Sequence, residues 1–171
     1  MNDIYDPYSM FDESNSIAPE AIIYPNVKIG KNNKIGPYTV IGSPGEIRNT
    51  LGKEFKGWVI IGDNNTISEL VTIQSPLEEG KITKVGDNNI IMAHSHIGHD
   101  AEIGNNCELS TGAIIGGYAK INDGAKLKLR ATIRNRITVG KNSIVGMGAV
   151  VVKDVKEGII VIGVPAKPIN K

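Results

Sequence analysis

In 171 residues the chain has one cysteine, one tryptophan, two phenylalanines and three histidines. A lone cysteine excludes a disulfide framework. With so few large rings, burial must come from many small aliphatic side chains. Nineteen cationic and eighteen acidic side chains leave a net charge of +1, which gives no field to attract nucleic acid or a bare anionic membrane surface. No apolar run approaches the roughly 20 residues of a membrane span, so no membrane insertion is expected. The opening Met1-Asn2-Asp3-Ile4-Tyr5-Asp6 lacks the basic and apolar regions of a secretory signal, and a cytoplasmic protein is expected.

What the chain has in quantity is a six-residue period. An aliphatic residue stands at every sixth position from Val85 to Val151. The same beat runs from Ile17 to Ile41 and returns at Ile61, Ile67 and Ile73. Position five of the hexad is small in Ala101, Cys107, Ala113, Ala119, Ala125, Ala131, Ser143 and Ala149, so positions one and five are expected to fill a narrow core together. Gly, Asn and Asp follow position one, where they tolerate the left-handed backbone of tight corners. A period of six is neither the two of an ordinary strand nor the 3.6 of a helix; it marks short strands joined by regular corners and stacked in coils. Such sequences resemble the left-handed parallel β-helix, in which three hexads make a triangular coil. The expectation is an all-β single domain over 17–168 after an N-terminal extension, 1–16, with about six to seven coils. Residues eighteen apart should then stack at about 4.8 Å. Cys107 falls at an inward position and is expected to be a buried thiol.

Two insertions, expected at 43–58 and 75–84, interrupt the beat, and solenoids commonly carry their chemistry in such places. The first holds Arg48, Lys53, Phe55, Lys56 and Trp58, suited to gripping a phosphate and stacking on a base or sugar. An ordinary solvated loop fits the same residues. The second replaces a hexad in phase and, if it also keeps the column, puts Lys81 one coil below His99.

All three histidines lie in His94-Ser95-His96-Ile97-Gly98-His99-Asp100. Counting by eighteen from His99 reaches Gly117, Asn135 and Lys153. A histidine beneath a glycine suits acyl transfer: the imidazole removes a proton from an attacking hydroxyl or amine, and the uncovered amide receives the oxyanion. Asp100 is placed to fix the tautomer. An exposed wall histidine without a role is the plain alternative.

The run His99-Asp100-Ala101-Glu102-Ile103-Gly104-Asn105-Asn106, continued by Ser110-Thr111-Gly112-Ala113-Ile114-Ile115-Gly116-Gly117, resembles the active-site region of two bacterial groups. These are the nucleotide-aminosugar N-acyltransferases and the UDP-N-acetylglucosamine O-acyltransferases of lipid A synthesis. The resemblance implies a base at His99, an orienter at Asp100 and an oxyanion donor at Gly117, with His96 and Tyr118 at the substrate. It also implies a homotrimer with active sites between rods, a nucleotide-linked sugar as acceptor, and acyl-CoA or acyl carrier protein as donor. Gln74-Ser75-Pro76 stands where the lipid A enzymes carry His-Arg-Gly-Thr, and Tyr118 and Arg134 stand where they carry histidines. The run Val145–Val155, closing in Gly163-Val164-Pro165-Ala166-Lys167, resembles the CoA-dependent group instead. On that ending the expected donor is acyl-CoA and the expected acceptor an amine, with Asn135, Gly146, Gly148, Lys153 and Lys167 at the donor.

Other classes compete less well. His94 and His99 share a spacing with two zinc ligands of γ-class carbonic anhydrases, but zinc there needs a histidine from a distant coil and this chain has none; no metal is expected. A purely structural rod stays an alternative; an ice-binding one would want flat threonine ladders, and the threonines are scattered.

Overall fold

The computed structural model describes residues 11–46 and 57–169. Every strand is two to four residues long, and successive strands up to Val150–Val151 pass in turn to three sheets of nine, seven and six strands, parallel except where Ile160–Ile162 pairs with Lys167–Pro168. The result is an all-β, left-handed parallel β-helix. Its regular step is eighteen residues: Ile97 pairs with Ile115, Ile103 with Ile121 and Leu109 with Leu127. The position-one residues from Ile61 to Val151 are at most 1 % exposed, and the position-five alanines from Ala101 to Ala149 are fully buried. Small side chains at position five let the aliphatic ones meet across the narrow interior, so the apolar core runs along the rod.

The corners run on left-handed backbone. Asp100, Tyr118 and Arg136 stack at one corner with φ of 58°, 60° and 65°. At the corner after the third sheet, position five is asparagine in the lower coils, a polar column that reading for small residues overlooks. Asn33, Asn65 and Asn89 are buried, and each Oδ1 accepts the backbone amide of the next coil, at Asn65, Asn89 and Cys107. Cys107 ends the column, 2 % exposed, its thiol pushed up to about 11 by burial.

Both insertions change the step, and only the second keeps the phase of six. Ile41 pairs with Ile73, thirty-two residues on, and Ile73 with Ile97, twenty-four on. Both extra lengths leave at one corner, between the strands Val40–Ser43 and Trp58–Ile61, and one coil later between Thr72–Gln74 and Ile82–Val85. The second loop is thus shorter than 75–84, because Ile82–Val85 is a strand. Since the second sheet advances by twenty-four there, the Gln74–Ser75 turn fills the step under His99, and Lys81 does not. The next turn of that corner, after the strand His96–Ile97, carries His99 and Asp100.

Candidate active site

His99 and Asp100 are 7 % and 9 % exposed, an unusual place for an ionisable pair unless it is bonded. His99 Nδ1–H donates to Asp100 Oδ2 at 3.0 Å. That oxygen also accepts the amide of Leu77 at 3.1 Å, so the second loop pins the carboxylate. The amide of Asp100 donates to Thr83 Oγ1 at 2.8 Å, and the amide of His99 to Gln74 Oε1 at 3.3 Å. Bonds on both residues therefore fix the ring with Nδ1 protonated and Nε2 free to act as a base.

Gly117 lies against the imidazole. A Cβ on Gly117 would fall among His99 Cε1, Nε2 and Nδ1, so only glycine leaves room for the ring. Neighbouring amides are spent on the coil above or below: Gly116 donates to Ile133 O and Tyr118 to His99 O. The Gly117 carbonyl accepts from Arg136, while its amide makes no hydrogen bond among the described residues. A bare imidazole nitrogen next to an unspent N–H is suited to removing a proton and receiving an oxyanion.

Two further groups close in on the pair. The Tyr118 ring meets His99 edge-on, with centroids 5.1 Å apart at 86°, and the Arg136 guanidinium lies 4.1 Å over the Tyr118 ring. Burial, with Asp100 and Glu78 nearby, raises the Tyr118 phenol above its usual range, so it stays protonated at neutral pH. On the other side Gly45 packs onto His99 Cβ and Leu77, bringing the first loop over the base. His96 is half-buried on the second sheet and shares a 2.7 Å hydrogen bond between its Nδ1 and Thr72 Oγ1. Burial lowers its pKa, against the pull of Glu46.

The structure thus brings together His99, Asp100, Gly117 and Tyr118, with His96 one strand away. His94 is exposed at the preceding corner. Trp58 lies on the third sheet with Lys28 Nζ 4.3 Å over its ring, on the wall and not in a loop as expected. Arg48, Lys53, Phe55 and Lys56 fall outside the described residues. Asn135 packs its Oδ1 over Gly116, above the site. Lys153 and Lys167 line a separate, mainly apolar cavity of about 480 Å³ near the C-terminal end of the rod. The amides of Gly146 and Gly148, residues expected at the donor, donate to Val161 O and Leu129 O, the ordinary bonds between coils. Sequence reading missed Gly45, Gln74, Leu77 and Thr83. Only the Pro44-Gly45 pair signalled a tight turn, and the other three act through contacts set by the loop corner.

The family described as bacterial transferase hexapeptide, six repeats, matches residues 12–43 and 82–117, the second stretch including His99, Asp100 and Gly117. Over those stretches the chain is similar to the hexapeptide-repeat transferases. Among curated relatives, an acyl-[acyl-carrier-protein]–UDP-N-acetylglucosamine O-acyltransferase of Rickettsia typhi is 38 % identical over 99 residues, covering 50 % of this chain and 37 % of the relative. The enzyme of that name from Synechocystis is 42 % identical over 73 residues, covering 43 % and 26 %. The chain therefore spans between about a quarter and two fifths of the length of such relatives. A UDP-N-acetylglucosamine acyltransferase structure from Bacteroides fragilis superposes with a TM-score of 0.86 at 31 % identity, over 91 % of this chain and 60 % of that one. A Caulobacter crescentus structure with CoA and GDP-perosamine reaches a TM-score of 0.50 at 23 % identity, over 91 % and 57 %, a likeness of fold alone.

Proposed function

We propose that the chain transfers an acyl group to a nucleotide-linked sugar, with His99 as general base, Asp100 holding its tautomer, and the Gly117 amide as oxyanion donor. The observation that carries this reading is the buried His99–Asp100 pair at 3.0 Å with Gly117 packed on the imidazole. Nε2 takes the proton of the attacking group as that group bonds to the thioester carbonyl carbon. The carbonyl electrons move onto oxygen, against the Gly117 N–H. Collapse of the tetrahedral intermediate breaks the carbon–sulfur bond, and the leaving thiolate takes the proton from His99.

The relatives above 30 % identity carry names that specify UDP-N-acetylglucosamine and an acyl carrier protein. On that ground we favour a sugar hydroxyl as acceptor and an acylated carrier protein as donor over the aminosugar and acyl-CoA expected from the C-terminal run. The amine reading keeps one support, the cavity that brings Lys153 and Lys167 together and would suit the phosphates of CoA. A trimer with sites between rods is part of the same proposal.

The test is product formation with each donor, acyl carrier protein or acyl-CoA, against UDP-N-acetylglucosamine and a nucleotide-linked aminosugar. One pairing should turn over, and His99→Ala should lower its rate by about 10²–10⁴ with the oligomer intact. A His99→Ala variant within about twofold of the parent rate rules out His99 as the base.

A further inference from the structure

Beside the base, on the outer face of the third sheet, lies a cavity of about 570 Å³ that reaches from Asp100 and Tyr118 to Lys81, Lys84, Lys120 and Arg136. Its volume is in the usual range for a small-molecule site. Four cations face two carboxylates, Asp100 and Glu102, in a chain whose overall charge is nearly balanced. Asp100 is engaged by His99 and Leu77, and Glu102 Oε1 is paired with Lys120 Nζ at 3.0 Å. Lys81, Lys84 and Arg136 have no ion pair among the described residues.

The fold converges these cations from three different places. Lys84 and Lys120 stand in one outward column of the third sheet, on either side of Glu102. Lys81 comes from the end of the inserted loop, and Arg136 from the corner two coils above Asp100. Arg136 is held over the Tyr118 ring, and the fork of its N–H groups suits a planar or tetrahedral oxyanion. Tyr118 in turn meets His99 edge-on. An anion bound in the fork of Arg136 therefore sits next to the base.

We propose that this cavity is a phosphate subsite, and that the phosphates of the nucleotide-bearing substrate bind to Arg136, Lys81 and Lys84. The sugar joined to them then lies toward His99. The proposal rests on the nucleotide-sugar reading above and names where its charged part is held. A diphosphate could belong to the acceptor, as in a nucleoside-diphosphate sugar, or to CoA as donor.

The test is equilibrium binding of UDP, inorganic pyrophosphate and CoA, at low and high salt, to the full chain and to Arg136→Ala, Arg136→Lys and Lys81→Ala/Lys84→Ala. Lys34→Ala, on the first sheet, serves as a control. UDP and pyrophosphate should each weaken about tenfold or more in Arg136→Ala and in the double variant, and Arg136→Lys should not restore the fork. Raising salt should weaken the parent more than the variants. If CoA weakens while UDP does not, the phosphates are those of the donor. Unchanged binding of all three probes in the variants, with folding verified by circular dichroism, overturns the subsite. Binding is read without turnover, so His99→Ala should bind UDP as the parent does. Absence of acyl transfer by the parent chain with every donor and acceptor, while UDP binding still depends on Arg136, would refute the catalytic reading and leave the subsite standing.

Discussion

Gly117→Ala isolates the placement of the imidazole from the chemistry of the amide. The backbone there is not in the left-handed region, so alanine meets no conformational penalty of that kind, and the N–H is retained. The added Cβ would fall 2.5 Å from His99 Nε2 and 2.9 Å from Nδ1, with Cε1 closer still, against an ordinary contact of about 3.5–4.0 Å. The ring cannot stay. Swinging it aside breaks the 3.0 Å bond to Asp100 and leaves a 9 %-exposed carboxylate with only the Leu77 amide on Oδ2. Overpacking and a buried group left short of a partner each cost about 1–3 kcal/mol. At about 2–4 °C per kcal/mol for a chain of this size, Tm should fall by roughly 2–12 °C from one such cost. Turnover should fall by about 10²–10⁴, the usual worth of a positioned base. Differential scanning calorimetry and the transfer assay read the two effects. Gly158→Ala, where a Cβ meets nothing within 4 Å but φ is +69°, should cost about 1–2 kcal/mol of strain and leave turnover unchanged. A Gly117→Ala protein with parental Tm and turnover would refute both the packing argument and the placement of the base.

His96 should titrate below its ordinary value of about 6.5, because burial disfavours its charged form. Its contribution to stability is then present above about pH 6.5 and lost as pH falls through the lower folded value; an imidazole NMR titration with a midpoint at or above 6.5 contradicts this. Cys107, with its thiol raised to about 11, should stay protonated and resist iodoacetamide at about pH 8.5 in the folded protein while reacting in denaturant; equal rates in both states would place the thiol at the surface. The hydrogen bond from Lys128 at 2.7 Å holds Glu108 below the usual carboxylate range, so its support is present above about pH 4.3 and fades as pH falls through the folded value. Lys128→Ala should flatten that acid limb of the stability curve, and an unchanged limb would show that the pair contributes nothing.

The hexad beat by itself determined the all-β coil, the inward residues and the stacking of Gly117 over His99. The physical reason is that a solenoid repeats one local solution: once three short strands and their corners are specified, the next coil follows by translation, and a residue's place can be counted. His99, Asp100 and Gly117 were legible because they lie in the regular coils that begin at Val85, where Val85 pairs with Ile103 and Ile103 with Ile121 at an unbroken count of eighteen. What only the tertiary structure decided lies where the count fails or where side chains meet across coils. Both insertions leave at one corner, which lays Gly45 and Leu77 over the base and moves Lys81 out of its counted column into the cavity beside Asp100. The sequence does not say where the amides of Gly146 and Gly148 go, and the coil-to-coil ladder uses them. Arg136 over Tyr118 over His99 is a stack of side chains from three coils, and no local pattern encodes it, because its energy comes from contacts between residues that are neighbours only after the rod has wound.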